Sequence, residues 1–367
     1  MIGVQVRNRR VSRTAGALLI LVTGCGILWY CIKVNGEDQG MHSPVEMSAW
    51  ITDWQWREAL DDLRPVAAEL ASVQMFAAYF DANDRLYVTS EFEAALPQLV
   101  KAYRGHGGTG EIYLTVVNDR YLPDGTVVQR EAALVRRLLA TEESRRRHMQ
   151  ELIDAVLRYG FDGVELNYSK SDEETWRQLV LFMDELCGRL KQMDKEFRVV
   201  LEPGAPLEGI SLPEGPVYVM MAYNLHGTHN GPGPKANPAL IKRLAAKLDR
   251  IPGHRYLAFA LGGFDWSEGR VTALTEKEAV ALTARSSVRP ERDEESGSLY
   301  FIYKDDKQAR HEVWYADELT LKLWRQAARE AGYGSVALWR LGGLDAGMLQ
   351  EIRNADERVS ALYGRIR

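Results

Sequence analysis

The sequence predicts an α/β fold: a (β/α)8 TIM barrel with a small α+β insertion between its seventh and eighth strands, preceded by a transmembrane segment. Two observations favour the barrel. From about residue 48 onward, short apolar runs alternate with helical patterns, which is typical of a parallel sheet with crossover helices. Eight such runs occur in a chain of 367 residues, and this barrel reaches such lengths as a single domain.

The predicted elements follow one another in the order that a barrel requires. The eight predicted strands are residues 49–52, 73–80, 111–117, 163–169, 198–202, 217–223, 256–262 and 335–341. The predicted helices are residues 56–70, 91–103, 130–159, 172–193, 238–249, 317–331 and 346–363. Asn237 before Pro238 predicts an N-cap and an N1 proline, and Ser171 with Glu174 has the spacing of a capping box.

Two connections depart from the simple alternation. Residues 203–215, between the fifth and sixth strands, show no helical pattern. A long polar insertion, residues 267–316, follows the seventh strand, and within it residues 299–304 and 312–315 alternate like a small hairpin. In a barrel such an insertion lies on the C-terminal face, where binding sites are built.

The N-terminal residues have the composition of a membrane segment. An uncharged run from 14 to 32 is long enough to cross a bilayer, and it follows Arg7, Arg9, Arg10 and Arg13. Because basic residues favour the cytoplasmic side, we predict a cytoplasmic tail (1–13), a signal anchor in the cell membrane (14–34), a linker (35–46) and an extracytoplasmic barrel (47–367). A lipoprotein signal ending at Cys25 and a cleaved signal peptide are the alternatives.

Composition excludes several other classes of function. The net charge of −5 gives no basic surface for nucleic acid. Cys25 and Cys31 lie in the apolar run, so Cys187 has no partner for an internal disulfide, and no cysteine spacing matches a metal site. We therefore predict neither a metal nor a cofactor.

The fourth predicted strand carries the strongest functional signal, because residues 161–169 read FDGVELNYS. Side chains alternate along a strand. If Leu166 faces the helices, then Glu165, Asn167 and Ser169 all face the barrel interior. Three inward polar residues are costly in a pure packing role, so at the C-terminal end of a barrel strand they indicate a binding or catalytic site.

This segment resembles the signature of the family 18 glycoside hydrolases, DGxDxDxE. Other segments resemble the family in the expected order: MAYN at 221–224 with the glycine-rich loop to 234, LGGFDW at 261–266 and VALWRLG at 336–342. Tyr303 and HEVWY at 311–315 are similar to the insertion of spore-germination-type bacterial members. The resemblance covers residues 47–363 and agrees with the predicted barrel.

The resemblance implies roles for the four polar positions of the fourth strand. In this family the final Glu is the general acid and the preceding Asp orients the N-acetyl group, whose oxygen attacks the anomeric carbon. Here Asp162 is retained, Glu165 replaces an Asp with its charge kept, Asn167 replaces the orienting Asp, and Ser169 replaces the acid. A serine hydroxyl does not titrate near neutral pH, so hydrolysis should lose the roughly 10²–10⁴-fold that general acid catalysis contributes.

Compared with the family motifs, this sequence retains more of the sugar-binding residues than of the catalytic residues. Tyr223 and Trp339 match the family's N-acetyl-contacting tyrosine and sugar-stacking tryptophan, Met221 is retained, and Asn224 replaces an Asp. We expect a protein that binds N-acetylglucosamine-containing glycans, such as peptidoglycan or chitin-like oligomers, without efficient hydrolysis. Two alternatives stay open: an active glycosidase using Glu165 or Glu202 as a displaced acid, and an interaction scaffold of the envelope or spore coat.

Overall fold

Eight parallel strands close into a barrel in the computed structural model, which describes residues 45–354. Strand β1 pairs with both β2 and β8, and each remaining strand pairs with its sequence neighbours. The eight predicted strands are therefore confirmed. Their bounds are β1 Met47–Thr52, β2 Ser72–Phe80, β3 Glu111–Tyr121, β4 Gly163–Asn167, β5 Glu196–Leu201, β6 Val217–Met221, β7 Arg255–Ala260 and β8 Val336–Trp339.

Helices cover the outside of the barrel close to the predicted positions. One prediction is wrong in detail: the single helix expected over 130–159 is two helices. The break occurs where Thr141 caps the second helix and forms a capping box with Ser144, which satisfies the first free N–H groups of a new helix. The bounds are α1 Trp56–Val66, α2 Ser90–Gly105, α3 Ala132–Leu139, α4 Glu142–Tyr159, α5 Glu173–Gln192, α6 Pro238–Leu248, α7 Glu276–Ser286, α8 Glu318–Glu330 and α9 Ala346–Arg353.

Of the two predicted helix N-caps, one is confirmed and the other is wrong. Asn237 caps α6 by accepting a hydrogen bond from Leu240 N at 2.9 Å, with Pro238 as the first helical residue, as expected. The capping box at Ser171 is wrong, because Asp172 caps α5 and accepts from Thr175 N at 2.8 Å. A carboxylate one residue later also interacts favourably with the positive end of the helix dipole.

The barrel separates two layers of buried side chains. Alternate residues of each strand face outward and pack against the helices, including Leu166 and Val199. The inward set forms a smaller core of aromatic and aliphatic side chains, including Trp50, Phe76 and Val200. Because the side-chain period of a strand is two, Glu165 and Asn167 share the inward face of β4, as expected.

The insertion between β7 and β8 is a five-stranded antiparallel sheet with helix α7 against it. It begins at Gly262, earlier than predicted, because the chain leaves β7 and enters the new sheet after one residue. Gly262 has φ +65°, and a Cβ there would lie 2.4 Å from Leu274 O. The predicted hairpin is confirmed, since Leu299–Lys304 pairs with Arg310–Ala316, and residues 203–215 contain no helix.

The predicted signal anchor (14–34) lies outside the described residues, as does the end of the last predicted helix beyond residue 354. Between residues 45 and 354, no helix has both the length and the apolar character needed to cross a bilayer. The described residues all lie in one compact unit that begins at Val45.

Candidate functional site

The C-terminal ends of the barrel strands form an opening that we call the mouth. The structure brings five sequence-predicted residues to it: Asn167, Ser169, Glu202, Tyr223 and Trp339. Each follows or ends a strand on its inward face. This is the face on which barrel enzymes carry their active sites.

Ser169 is held at the mouth by its main chain. Strand β4 ends at Asn167, and beyond it the side chain of Asn118 on β3 continues the pairing. Asn118 Nδ2 donates to Ser169 O and Asn118 Oδ1 accepts from Ser169 N, each at 3.1 Å. The side-chain amide of Asn118 therefore makes the hydrogen bonds that a neighbouring strand would make, and it fixes the main chain at Ser169.

A guanidinium group lies over the position of the family's acid. Arg130 Nη1 donates to Asn167 Oδ1 at 2.9 Å, to Asn167 O at 3.0 Å and to Ser169 Oγ at 3.2 Å. Within the described chain, Ser169 Oγ has no other hydrogen-bond partner. Sequence reasoning missed this residue and placed it at the start of a helix.

Arg130 lies at the mouth because of the conformation of the loop between β3 and α3. It precedes α3 with φ +53°, and its main-chain N–H donates to Asp119 Oδ1 at 2.8 Å. That bond turns the side chain toward the mouth. A local pattern could not have revealed it, because the partners lie 37 and 39 residues away.

Glu165 lies one layer below the mouth and is fully buried. Its Oε1 accepts from Trp50 Nε1 at 2.6 Å and from Thr115 Oγ1 at 2.8 Å, and its Oε2 accepts from Arg198 Nε at 3.0 Å. Both oxygens are thus engaged by donors from three other strands. This geometry argues against the expectation that Glu165 acts as a displaced acid.

Asp162 does not belong to the mouth. It precedes the first residue of β4, seven residues before Ser169, which corresponds to about 23 Å at the usual rise of a strand. Its carboxylate accepts from Ile112 N at 2.9 Å and from Arg104 Nη2 at 3.3 Å. This position argues against the predicted catalytic role of Asp162, whose contacts instead secure the start of β4 against β3.

Three carboxylates, Glu202, Asp119 and Asp53, lie near the C-terminal ends of barrel strands. Glu202, directly after β5, accepts from Lys170 N at 2.8 Å and so lies beside the residue that follows Ser169. Asp119 holds the Arg130 main chain. Asp53, which the sequence analysis did not single out, accepts from Tyr79 Oη at 2.8 Å and Thr89 Oγ1 at 3.0 Å, and burial raises the pKa of its carboxyl.

The tyrosine and asparagine after β6 differ in exposure. Tyr223 is buried on the inward side with Met221. Burial raises the pKa of its phenol well above the ordinary value, against the opposing influence of the Arg130 charge, so the hydroxyl keeps its proton and can donate. Asn224, at φ +67°, is exposed at the rim.

Aromatic rings line one side of the mouth. Trp339 contacts Phe76 with ring centroids 4.9 Å apart and Trp50 at 5.9 Å. Trp54, with 56% of its surface exposed, meets Phe76 edge-on at 5.6 Å. Flat rings held in this way offer faces on which a sugar ring can stack.

Two further basic side chains, Arg340 and Lys235, also lie over aromatic rings. Arg340 lies over Trp54, with its guanidinium carbon 5.6 Å from the ring centroid, and donates to Gln55 Oε1. Lys235 Nζ donates to Leu261 O at 2.7 Å and lies 4.7 Å from the Phe264 ring centroid. Burial, with a smaller repulsion from Arg340, lowers the pKa of the Lys235 ammonium to about 7.

Comparisons with known proteins agree with this architecture. The sequence model of the glycosyl hydrolases family 18 matches residues 135–343, more than half of the chain. The "Uncharacterized glycosylase YvbX" of Bacillus subtilis (strain 168) is 21% identical over 238 residues, which cover 60% of this chain and 69% of that protein.

Solved structures with the same fold include a spore cortex-lytic enzyme and a chitinase. The Bacillus cereus spore cortex-lytic enzyme SleL matches with a TM-score of 0.70 at 17% identity, covering 84% of this chain and 73% of that one. A class V chitinase from Nicotiana tobaccum in complex with NAG4 matches with a TM-score of 0.68 at 10% identity, covering 85% and 99%. At these identities the structural matches establish the fold.

Proposed function

This chain belongs to the glycosyl hydrolases of family 18, and on that premise we propose that it binds N-acetylglucosamine-containing glycans at the barrel mouth without hydrolysing them efficiently. The observation that carries the proposal is the contact of Arg130 with Ser169 Oγ at 3.2 Å. A general acid must hold a proton and release it near the working pH. A serine hydroxyl and a guanidinium group both keep their protons there.

Two side chains at the mouth that can bind a sugar support the first part of the proposal, which is glycan binding. The Tyr223 hydroxyl makes no hydrogen bond within residues 45–354, so it is available to a ligand. Trp339 is partly exposed and is held in place by Phe76 and Trp50. A tobacco chitinase with this fold carries NAG4 in its structure, which makes the N-acetylglucosamine tetramer the natural first ligand to test.

Calorimetric titration of the folded barrel with the N-acetylglucosamine tetramer should give a measurable dissociation constant. Replacement of a central tryptophan usually costs more than 1 kcal/mol of binding free energy, so Trp339→Ala should weaken binding about tenfold. Leu181→Ala, at an exposed apolar position on α5, is the matched control and should leave the constant unchanged. Absence of heat at millimolar tetramer would reject the proposal.

A second candidate function, hydrolysis with Glu202 as the acid, is favoured by one contact. Its carboxylate binds the main chain of Lys170, next to the position from which the family's acid acts, and its other oxygen makes no hydrogen bond within residues 45–354. If this carboxyl donates the proton, prolonged assays with the tetramer will detect turnover in the parent chain. Glu202→Gln should then reduce the rate about 10²-fold or more, whereas Glu208→Gln, exposed on the same loop, should not. An inert parent chain would eliminate this candidate.

We also propose that residues 14–34 anchor the chain in the cell membrane, with the barrel on the extracytoplasmic side. Supporting this are the uncharged run and the arginines before it. The full chain should stay in the membrane fraction after alkaline extraction, and protease added to intact spheroplasts should degrade the barrel. Release of the barrel by alkali, or its protection from protease, would contradict the anchor or its orientation.

A further inference from the structure

The cations of the mouth are bound mainly to neutral acceptors. Arg130 donates to an amide oxygen, a carbonyl and a hydroxyl, and its nearest carboxylate oxygen, Asp119 Oδ1, lies 3.8 Å from Nε. Its second terminal nitrogen makes no hydrogen bond within residues 45–354. Arg340 and Lys235 form no ion pair within 4 Å in that part of the chain, and each donates to a neutral oxygen.

The deeper part of the barrel shows the opposite arrangement. Arg198 is buried against Glu165, with Nε and Oε2 3.0 Å apart and both side chains almost without exposure. A buried charge is normally compensated in this way, because desolvation of an unpaired ion is costly. The mouth differs from the interior because, within residues 45–354, no carboxylate accepts a hydrogen bond from the guanidinium of Arg130, whose ion pair with Asp119 is long at 3.8 Å, or from that of Arg340.

The carboxylates at the mouth do not supply that compensation. Asp53 accepts from two hydroxyl groups, and Glu202 accepts from the main chain of Lys170. Asp119 is the acid nearest to Arg130, but its hydrogen bond is to the main-chain N–H rather than to the guanidinium. A charged ligand would therefore meet cations whose hydrogen-bonding capacity is not taken by an acidic side chain.

The cations also lie beside the rings that would hold a sugar. The guanidinium carbon of Arg130 is 5.9 Å from the Phe76 ring centroid, and that of Arg340 is 5.6 Å from the Trp54 ring centroid. These two rings touch each other at 5.6 Å. A substituent projecting from a sugar stacked here would consequently approach a planar fork of N–H donors, which matches the geometry of a carboxylate.

We propose that the mouth prefers a glycan whose amino sugars carry a carboxylate, as N-acetylmuramic acid does, and that Arg130 is the principal group that binds it, with Arg340 assisting. This inference rests on the proposed glycan-binding function and narrows its ligand class. A neutral chitin-like oligomer would occupy the same rings but would leave the guanidinium of Arg130 without its anionic partner.

Three tetrasaccharides test this preference in calorimetric titrations: the neutral N-acetylglucosamine tetramer, an alternating tetramer of N-acetylglucosamine and N-acetylmuramic acid with free carboxylates, and the same tetramer with its carboxylates amidated. The free acid should bind about tenfold or more tightly than its amide, because a hydrogen bond to a charged group is stronger than one to a neutral group. The difference should shrink as salt is raised.

Arg130→Gln should bring the affinity for the free acid down to that for the amide while changing amide binding little. Arg340→Gln should also lower the affinity for the free acid, but by less. This variant provides the test if Arg130→Gln does not fold. Arg146→Gln, at an exposed position on α4 that pairs with Glu142, is the control and should change nothing.

The outcomes separate the two proposals. Equal affinity for acid and amide, or an Arg130→Gln variant that weakens all three ligands alike, overturns the carboxylate preference while leaving glycan binding intact. In the second case Arg130 merely positions Asn167 and Ser169. If none of the tetrasaccharides binds, the proposed function fails, and this inference fails with it.

Discussion

A chain carrying Asn167→Asp, Ser169→Glu and Arg130→Leu should hydrolyse the N-acetylglucosamine tetramer about 10²–10⁴-fold faster than the parent chain. General acid catalysis contributes an acceleration of this size, and two neighbouring carboxyl groups raise the pKa of one of them toward neutrality. Fluorogenic oligomers assayed from pH 4 to pH 8 measure the gain directly.

Arg130 decides whether the two carboxyl groups alone are sufficient. In the double variant Asn167→Asp, Ser169→Glu, the guanidinium would lie within hydrogen-bond distance of both new carboxylates, as it now does of Asn167 and Ser169. An adjacent cation lowers the pKa of a carboxyl by about 1–3 units, which removes the proton that the acid must donate. The double variant should therefore gain far less activity than the triple variant. Equal rates for both would show that Arg130 does not suppress the chemistry.

Glu165→Gln should lower the free energy of unfolding by about 3–5 kcal/mol, because it leaves the buried Arg198 without its counter-ion. Urea titration followed by tryptophan fluorescence measures the change. Glu173→Gln is the matched control, since Glu173 pairs with Arg177 on the exposed surface of α5, where such a pair contributes about 0–1 kcal/mol.

The double variant Glu165→Leu, Arg198→Met should recover much of the lost stability, as replacement of a buried ion pair by apolar groups is often neutral or stabilising. If Glu165→Gln instead kept the parent stability and abolished a measurable hydrolytic rate, Glu165 would be an acid after all, and our assignment of a structural role would be wrong.

The barrel could be predicted because its signal is local and repeated. Each strand is a short apolar run of period two or a continuous apolar segment, and each is followed by a turn and usually a helix, so eight strands emerge without knowledge of their contacts. The inward direction of Glu165, Asn167 and Ser169 follows from the same periodicity once Leu166 is placed against the helices. Element ends were less certain, because capping depends on which of several polar residues reaches the free N–H groups, as at Asp172.

The chemistry of the site was only partly predictable, because it depends on partners distant in sequence. The pairing of Glu165 with Arg198 joins residues 33 positions apart, and the contacts of Arg130 cross from one connecting loop to another strand. The family motif grouped Asp162 with Glu165, Asn167 and Ser169. A residue that precedes the predicted strand 163–169 nevertheless lies at the opposite end of the barrel from the residue that ends it.

The clamp that Asn118 forms on Ser169 engages main-chain atoms alone. The main chain at this point should therefore keep its position when the side chain of residue 169 is exchanged for another that the space at the mouth accommodates. Most mutations destabilise a protein, and an independently held main chain removes one source of that loss, so the residue type at position 169 can change while the fold is retained.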